Sequence, residues 1–191
     1  RGSGVIFIWS MRLRGLSVTR KIDPRSSSHQ VTGARKVCVI QCRLGSRRFP
    51  RKAIARLHGR PLIAHVVERV RKVPSLDSVV VAVPTNDLDL IKVLRDLNVG
   101  IVLGPEHNVL RRFWLAAVAE QADIIMRVTG DCPMWSPEAG EGVLRSYLDD
   151  PTRREFWSND TTQSGWPDGT DTEGFSRQLL TRARFARSTI T

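Results

Sequence analysis

The stretch Lys36-Val37-Cys38-Val39-Ile40-Gln41-Cys42-Arg43-Leu44-Gly45-Ser46-Arg47-Arg48-Phe49-Pro50-Arg51-Lys52 decides how the rest of the chain is read. Val37 to Ile40 carries no charge and is β-branched apart from Cys38, the mark of a strand buried on both faces. From Gln41 on, five cations crowd around Gly45 and Pro50. A strand running into a basic turn and then a helix can hold a polyphosphate: arginine supplies a planar donor fork, lysine a mobile point charge, and glycine a close backbone approach.

Outward from this stretch, apolar runs alternate with amphipathic ones. Pro61 opens a helix with Leu62, Ile63, Val66, Val67 and Val70 on one face. Ser78 to Val83 is a second buried strand, closed by Pro84. Asn86 or Asp87 caps a helix carrying Leu90, Ile91, Leu94 and Leu97, and Asn98 to Leu103 forms a third strand. Asn108 caps the next helix, through Leu110, Phe113, Trp114, Ala117 and Val118. Asp123 to Val128 is the fourth strand and leads into Thr129-Gly130-Asp131-Cys132-Pro133. This alternation predicts an α/β fold, a three-layer α/β/α Rossmann-like arrangement on a mostly parallel sheet. Ligands of such sheets bind beyond the carboxyl ends of the strands, so the loops after the first and fourth strands should line one site.

With 191 residues the chain builds one core of ordinary size. Residues 1–33 read as a basic leader outside the fold, with six cations against Asp23 and a Ser26-Ser27-Ser28 run. An upstream extension, a targeting segment and a flexible arm all fit that composition, the extension best. The domain is expected over 34–191. Of the formal charge of +11, +6 remains on that body, which suits nucleic acid or a nucleoside triphosphate equally. The apolar run Val5 to Trp9 is too short to span a membrane. Cys38, Cys42 and Cys132 form no CxxC pair, and a reducing cytoplasm is their simplest home.

Neither a GxxxxGKS/T loop nor GxGxxG is present, which disfavours ATP hydrolysis and hydride transfer. Asp131, at the end of a buried strand, either caps the following turn or binds a hard cation such as Mg²⁺, which uses one or two carboxylates plus substrate phosphates. Pro167-Asp168-Gly169-Thr170-Asp171-Thr172-Glu173 is a second carboxylate source, in which Asp171 and Glu173 share one side of an extended segment. His58, His65 and His107 have no metal spacing, and Cys132 beside Asp131 is a poor nucleophile.

Together these segments resemble the cytidylyltransferase-like branch of the nucleotide-diphospho-sugar transferases, especially its spore coat polysaccharide group, related to the enzymes that activate Kdo and sialic acid with CTP. The matching text is Gln41 to Lys52, Val83-Pro84-Thr85-Asn86, Arg127 to Pro133, Ser158-Asn159 and Pro167 to Asp171. The resemblance implies a Mg²⁺-dependent transfer of a cytidylyl group from CTP to a sugar or sugar acid for surface polysaccharide synthesis. It places Arg43, Leu44, Gly45, Ser46, Arg48, Lys52, Thr85, Asn108 and Arg111 around the nucleotide. Arg48, Lys52 and Asp131 become the catalytic set, Asp131 and Asp171 the metal ligands. Glu106 to Arg112 matches a segment that encloses the nucleotide, while Asn159 and Asp168 lie where the sugar is approached. A homodimer is compatible with it.

Three positions depart from the family pattern: Arg51 stands where glycine is preferred, Asn108 where an acid is common, and Ser136 where an aspartate is usual. The chain also ends at Thr191 where the family continues with more helix, so a C-terminal truncation is expected, and with it the alternative of a silent nucleotide-binding scaffold. A nucleic-acid module is disfavoured, because only Phe49 interleaves with the cations as a stacking ring.

Overall fold

The computed structural model describes residues 33–46, 48–150, 155–159 and 165–186. The proposed leader lies outside these residues except for Gly33, as does Arg47. Strand β1 (Lys36–Gln41) leads to a short 3-10 turn (Lys52–Ile54) and a small hairpin of β2 (Arg56–Leu57) and β3 (Arg60–Pro61). Then follow α1 (Leu62–Val70), β4 (Ser78–Pro84), α2 (Leu88–Asp96), β5 (Gly100–Gly104), α3 (Val109–Ala119) and β6 (Ile124–Thr129). The chain continues through α4 (Pro137–Leu148), β7 (Phe156–Ser158), β8 (Glu173–Ser176) and α5 (Arg177–Ala186).

The main sheet has the order β5-β4-β1-β6-β8-β7. β5, β4, β1 and β6 are parallel, while β8 runs antiparallel to both β6 and β7. The expected mostly parallel, three-layer sheet is therefore present, extended by an antiparallel pair that the periodicity did not announce. Alternation along β1 separates the layers. Cys38 and Ile40 join α1, α2 and Trp135 on one face, whereas Val37 and Val39 join Phe113, Ala116, Phe175 and Leu180 from α3, β8 and α5 on the other.

At two of the family departures the residue present caps a helix. Asn108 Oδ1 accepts from Arg111 N at 2.9 Å and starts α3. Ser136 Oγ accepts from Ala139 N at 3.2 Å, with Pro137 at the first helical position of α4. The third is different in kind. Arg51 has φ 61°, in the left-handed region that costs a side-chain-bearing residue roughly 1 kcal/mol, so a glycine preference there has a direct steric cause.

Candidate active site

The chain runs β1, β4, β5 in one direction across the sheet and then returns to place β6 on the other side of β1. The crevice between β1 and β6 is thus the point where strand order reverses, and the loops after these two strands meet there. Gly130 makes the meeting close: its N–H donates to Gln41 O at 2.8 Å, and a Cβ at this position would lie 2.9 Å from Cys42 Sγ. Across this junction Lys52 Nζ stands 3.3 Å from Asp131 Oδ2. Both side chains are partly exposed, so their pairing is weak and open to competition.

On the α2 side, two acids hold the basic loop. Asp87 Oδ2 accepts from Leu44 N at 2.8 Å, which takes the place of the helix-capping bond expected of this residue. Arg51 pairs with Asp89 at 2.8 Å, and Ser46 Oγ accepts from Phe49 N at 3.3 Å. Arg43 and Arg48 are exposed and have no counter-charge among the described residues, and the Arg111 side chain is likewise unpaired. An open cleft of about 510 Å³ lies beside this loop, bounded by Leu44, Gly45, Arg51, Asn86, Asp87 and Leu88. Thr85, expected at the nucleotide, donates its hydroxyl to Gly104 O at 3.1 Å and ties β4 to β5 at the cleft's edge.

The carboxylate side is built on buried polar groups. Trp135 is fully buried, and its Nε1–H donates to Thr172 Oγ1 at 2.9 Å. Asn159 is buried as well: its Oδ1 accepts from Thr172 N at 2.7 Å and its Nδ2 donates to Thr170 O at 3.1 Å. The Asn159 side chain is therefore committed to holding residues 170–172, leaving the exposed Asp168 as the one of the two that faces solvent. Gly169 comes within ordinary contact of Cys132 Sγ, 3.9 Å from where its Cβ would be. Burial raises the Cys132 thiol pKa, the Thr129 hydroxyl opposes that rise, and the fields of both Asp131 and Asp171 add to it. The packing of Gly169 against Cys132 brings the segment that carries Asp171 alongside the Asp131 loop. Glu173 does not join them. It is buried in β8 and forms an ion pair with Arg127 of β6, whose Nε also donates to Gln41 Oε1 at 3.1 Å.

The cysteines carry no nucleophile. Cys42 is pushed up to about 12, chiefly by burial and then by Asp131 and Asp87, and burial raises Cys38 further. Among the histidines, His65 Nε2 lies 2.9 Å from Leu57 O and serves packing. Among the described residues no three His, Cys, Asp or Glu side chains form a metal cluster. An all-protein cage is not what Mg²⁺ requires: two oxygen donors facing bound phosphates suffice, and Asp131 with Asp171 match that donor set.

One residue of consequence was hidden in the sequence. Arg112, on the first turn of α3, is completely buried and donates from Nη1 to Pro105 O at 2.6 Å and Glu106 O at 2.7 Å. Burial, together with the like charge of Arg43, lowers its pKa, and Asp87 and Glu106 oppose that shift. Gly104 is the sequence signal that accompanies it, since a Cβ there would lie 2.7 Å from Arg112 Cγ.

A cytidylyltransferase family profile matches residues 37–184, most of the chain. The chain belongs to the cytidylyltransferase family. Among its relatives, a 3-deoxy-manno-octulosonate cytidylyltransferase of Anaeromyxobacter sp. (strain K) is 40% identical over 109 residues, which cover 56% of this chain and 44% of that protein. The chain thus spans less than half the length of this curated relative. A solved cytidylyltransferase from Leptospira borgpetersenii superposes with a TM-score of 0.74 at 26% identity, covering 79% of this chain and 64% of that one. A CMP:2-keto-3-deoxy-manno-octonic acid synthetase solved with CTP shares the fold, with a TM-score of 0.65 at 20% identity and coverage of 79% and 78%. Among the described residues no helix is long and apolar enough to cross a membrane.

Proposed function

We propose that this cytidylyltransferase-family chain transfers a cytidylyl group from CTP to a sugar or sugar acid destined for surface polysaccharide or glycoconjugate, with Mg²⁺ held by Asp131 and Asp171. The observation that carries the reading is the meeting of Lys52 and Asp131, 3.3 Å apart at the switch point, beside the uncompensated Arg43 and Arg48.

The basic loop receives the triphosphate: Arg43, Arg48 and Lys52 neutralise its oxygens, Gly45 and Ser46 let the backbone approach, and Arg111 adds charge at the start of α3, which Asn108 fixes. A hydroxyl of the acceptor sugar attacks the α-phosphorus. One P–O bond forms, the bond to the β-phosphate oxygen breaks, pyrophosphate leaves, and the hydroxyl proton passes to solvent. Mg²⁺, when bound, supplies Lewis-acid neutralisation of the phosphate oxygens. Arg48 and Lys52 stabilise the charge that grows on the departing pyrophosphate. Asp131 must exchange Lys52 for its new partner as the nucleotide enters, and the partial exposure of both groups keeps that exchange cheap. Among the described residues no side chain is assigned as a general base, which suits a reaction carried by positioning and electrostatics. Three free cysteines support a reducing, cytoplasmic setting.

The test is pyrophosphate release from CTP and Mg²⁺ with a panel of sugar acids, run alongside thermal melting. The expected result is turnover with at least one acceptor and a Tm raised by CTP with Mg²⁺, a gain absent in Asp131→Ala. A folded wild type whose melting curve ignores CTP and Mg²⁺ overturns the reading; a raised Tm without turnover leaves a nucleotide-binding scaffold instead.

A further inference from the structure

Arg112 presents a problem that the proposed reaction does not solve. Its Nη1 is satisfied twice over, yet Nε and Nη2, both buried, have no hydrogen-bond partner among the described residues. A buried, unpaired donor costs about 1–3 kcal/mol, and a methionine or leucine would fill the same space without that cost. The arginine therefore does something at its satisfied end that an apolar residue cannot.

That end grips two successive carbonyls, those of Pro105 and Glu106, at the turn between β5 and α3. Held in this way, Glu106 aims its carboxylate across the top of the sheet. Glu106 Oε2 accepts from Asn86 Nδ2 at 3.0 Å, in the loop after β4. Its Oε1 rests 3.5 Å from where a Gly45 Cβ would stand, in the loop after β1. Three loops from three different strands meet at one carboxylate, and Asn86 and Gly45 both line the open cleft. Gly104 completes the arrangement, because no side chain fits between it and the Arg112 stem.

We propose that Arg112 is a positioning residue for the nucleotide: through the Pro105 and Glu106 carbonyls it fixes Glu106 as a strut that sets the width of the cleft between the Leu44–Gly45 wall and the Asn86 wall. The proposal rests on CTP as the nucleotide for its functional readout, and on the strut alone for its structural one. It touches no reacting atom, so its loss acts on nucleotide binding rather than on the rate of the bound complex.

The experiment compares wild type, Glu106→Ala, Glu106→Gln and Arg112→Lys by hydrogen exchange without ligand and by titration with CTP and Mg²⁺. Glu106→Ala is expected to speed exchange in residues 43–46 and 85–88 and to weaken CTP binding about tenfold, the loss of one charged hydrogen bond, with Tm held. Glu106→Gln keeps an acceptor for Asn86 and stays within roughly threefold of wild type. Arg112→Lys, whose shorter and non-planar head group holds the two carbonyls less rigidly, falls between. Unchanged exchange at both loops in a folded Glu106→Ala overturns the strut whatever CTP does. Unchanged CTP affinity in Glu106→Ala, with wild type binding, also overturns it. A wild type that binds no CTP but shows the exchange difference overturns the proposed reaction and leaves the strut standing.

Discussion

The two ends of the central strands treat charge in opposite ways. At the amino ends, Arg35 pairs with Glu120 at 3.1 Å and donates to its backbone, while Ser78 Oγ donates to the same carboxylate at 2.8 Å. Asp123 accepts from Arg35 N and pairs with Arg177, and Asp77 accepts from Lys36 N at 2.7 Å and pairs with its ammonium. These contacts tie β1, β4, β6 and α5 together with each cation answered by an acid. At the carboxyl ends Arg43 and Arg48 have no answering acid among the described residues, and the Lys52–Asp131 pair is open to exchange. One end spends its charges on the fold. The other leaves Arg43 and Arg48 without an acid among the described residues, and this difference is the one on which the proposed nucleotide site rests.

The contrast breaks most visibly at the carboxyl end. Replacing Arg43 and Arg48 together by Ala is expected to weaken CTP binding about 100-fold and to flatten its salt dependence. The Tm should hold or rise, since a charge repelling the buried Arg112 is gone; calorimetric titration at two ionic strengths reads the first effect and thermal melting the second. Beneath the site, Gly140→Ala puts a methyl group 2.4 Å from the Trp135 ring. It should cost about 1–3 kcal/mol by overpacking, measured by urea denaturation, and should lower activity by shifting the Asp131 loop.

At the amino end, Glu120→Ala removes the acceptor shared by Arg35 and Ser78. A loss of about 1 kcal/mol with CTP affinity unchanged is the expected outcome, and a matching loss of affinity would erase the distinction between the two ends. Asp77 supplies the pH test. The Lys36 N–H is the first cause holding its carboxyl below the ordinary value of 3.8. Its stabilising contribution is complete above that value and disappears as pH falls through the lowered folded-state value. Asp77→Asn should thus destabilise at pH 7 and narrow the gap to wild type at pH 3, read from urea midpoints. The smallest effect is expected for Arg51→Gly, which relieves the left-handed backbone but gives up an exposed ion pair. A gain of about 0.5 kcal/mol follows, visible in Tm.

Legibility followed the strength of each pattern. β1 and β4 have uninterrupted apolar cores and β6 is apolar but for Arg127, and the boundaries of all three fall within a residue or so of those expected. β5 begins at Gly100 rather than Asn98, because Asn98 takes φ 48° to make the turn out of α2. Helix α4 escaped notice because a glycine, Gly140, sits in its short apolar face, and β8 because its four residues include a buried acid and a glycine. The site was legible where a loop follows a strong strand: Lys52 and Asp131 were expected together and meet. It was illegible where polarity is buried. Arg112 reads only as the end of a segment enclosing the nucleotide, and Asn159 and Glu173 read as ligands, until the neighbours that use them up are known.

Trp135 has a consequence for ion choice. Its ring lies against Gly140, its Nε1–H is committed to Thr172, and Thr172 N is pinned in turn by Asn159. Asp131 and Asp171 therefore ride on one packed body rather than on two independent loops. A divalent ion held by these two carboxylates, as proposed, would meet a span set beforehand by the fit of an indole, and discrimination between ions of different radius would then be a property of the hydrophobic interior.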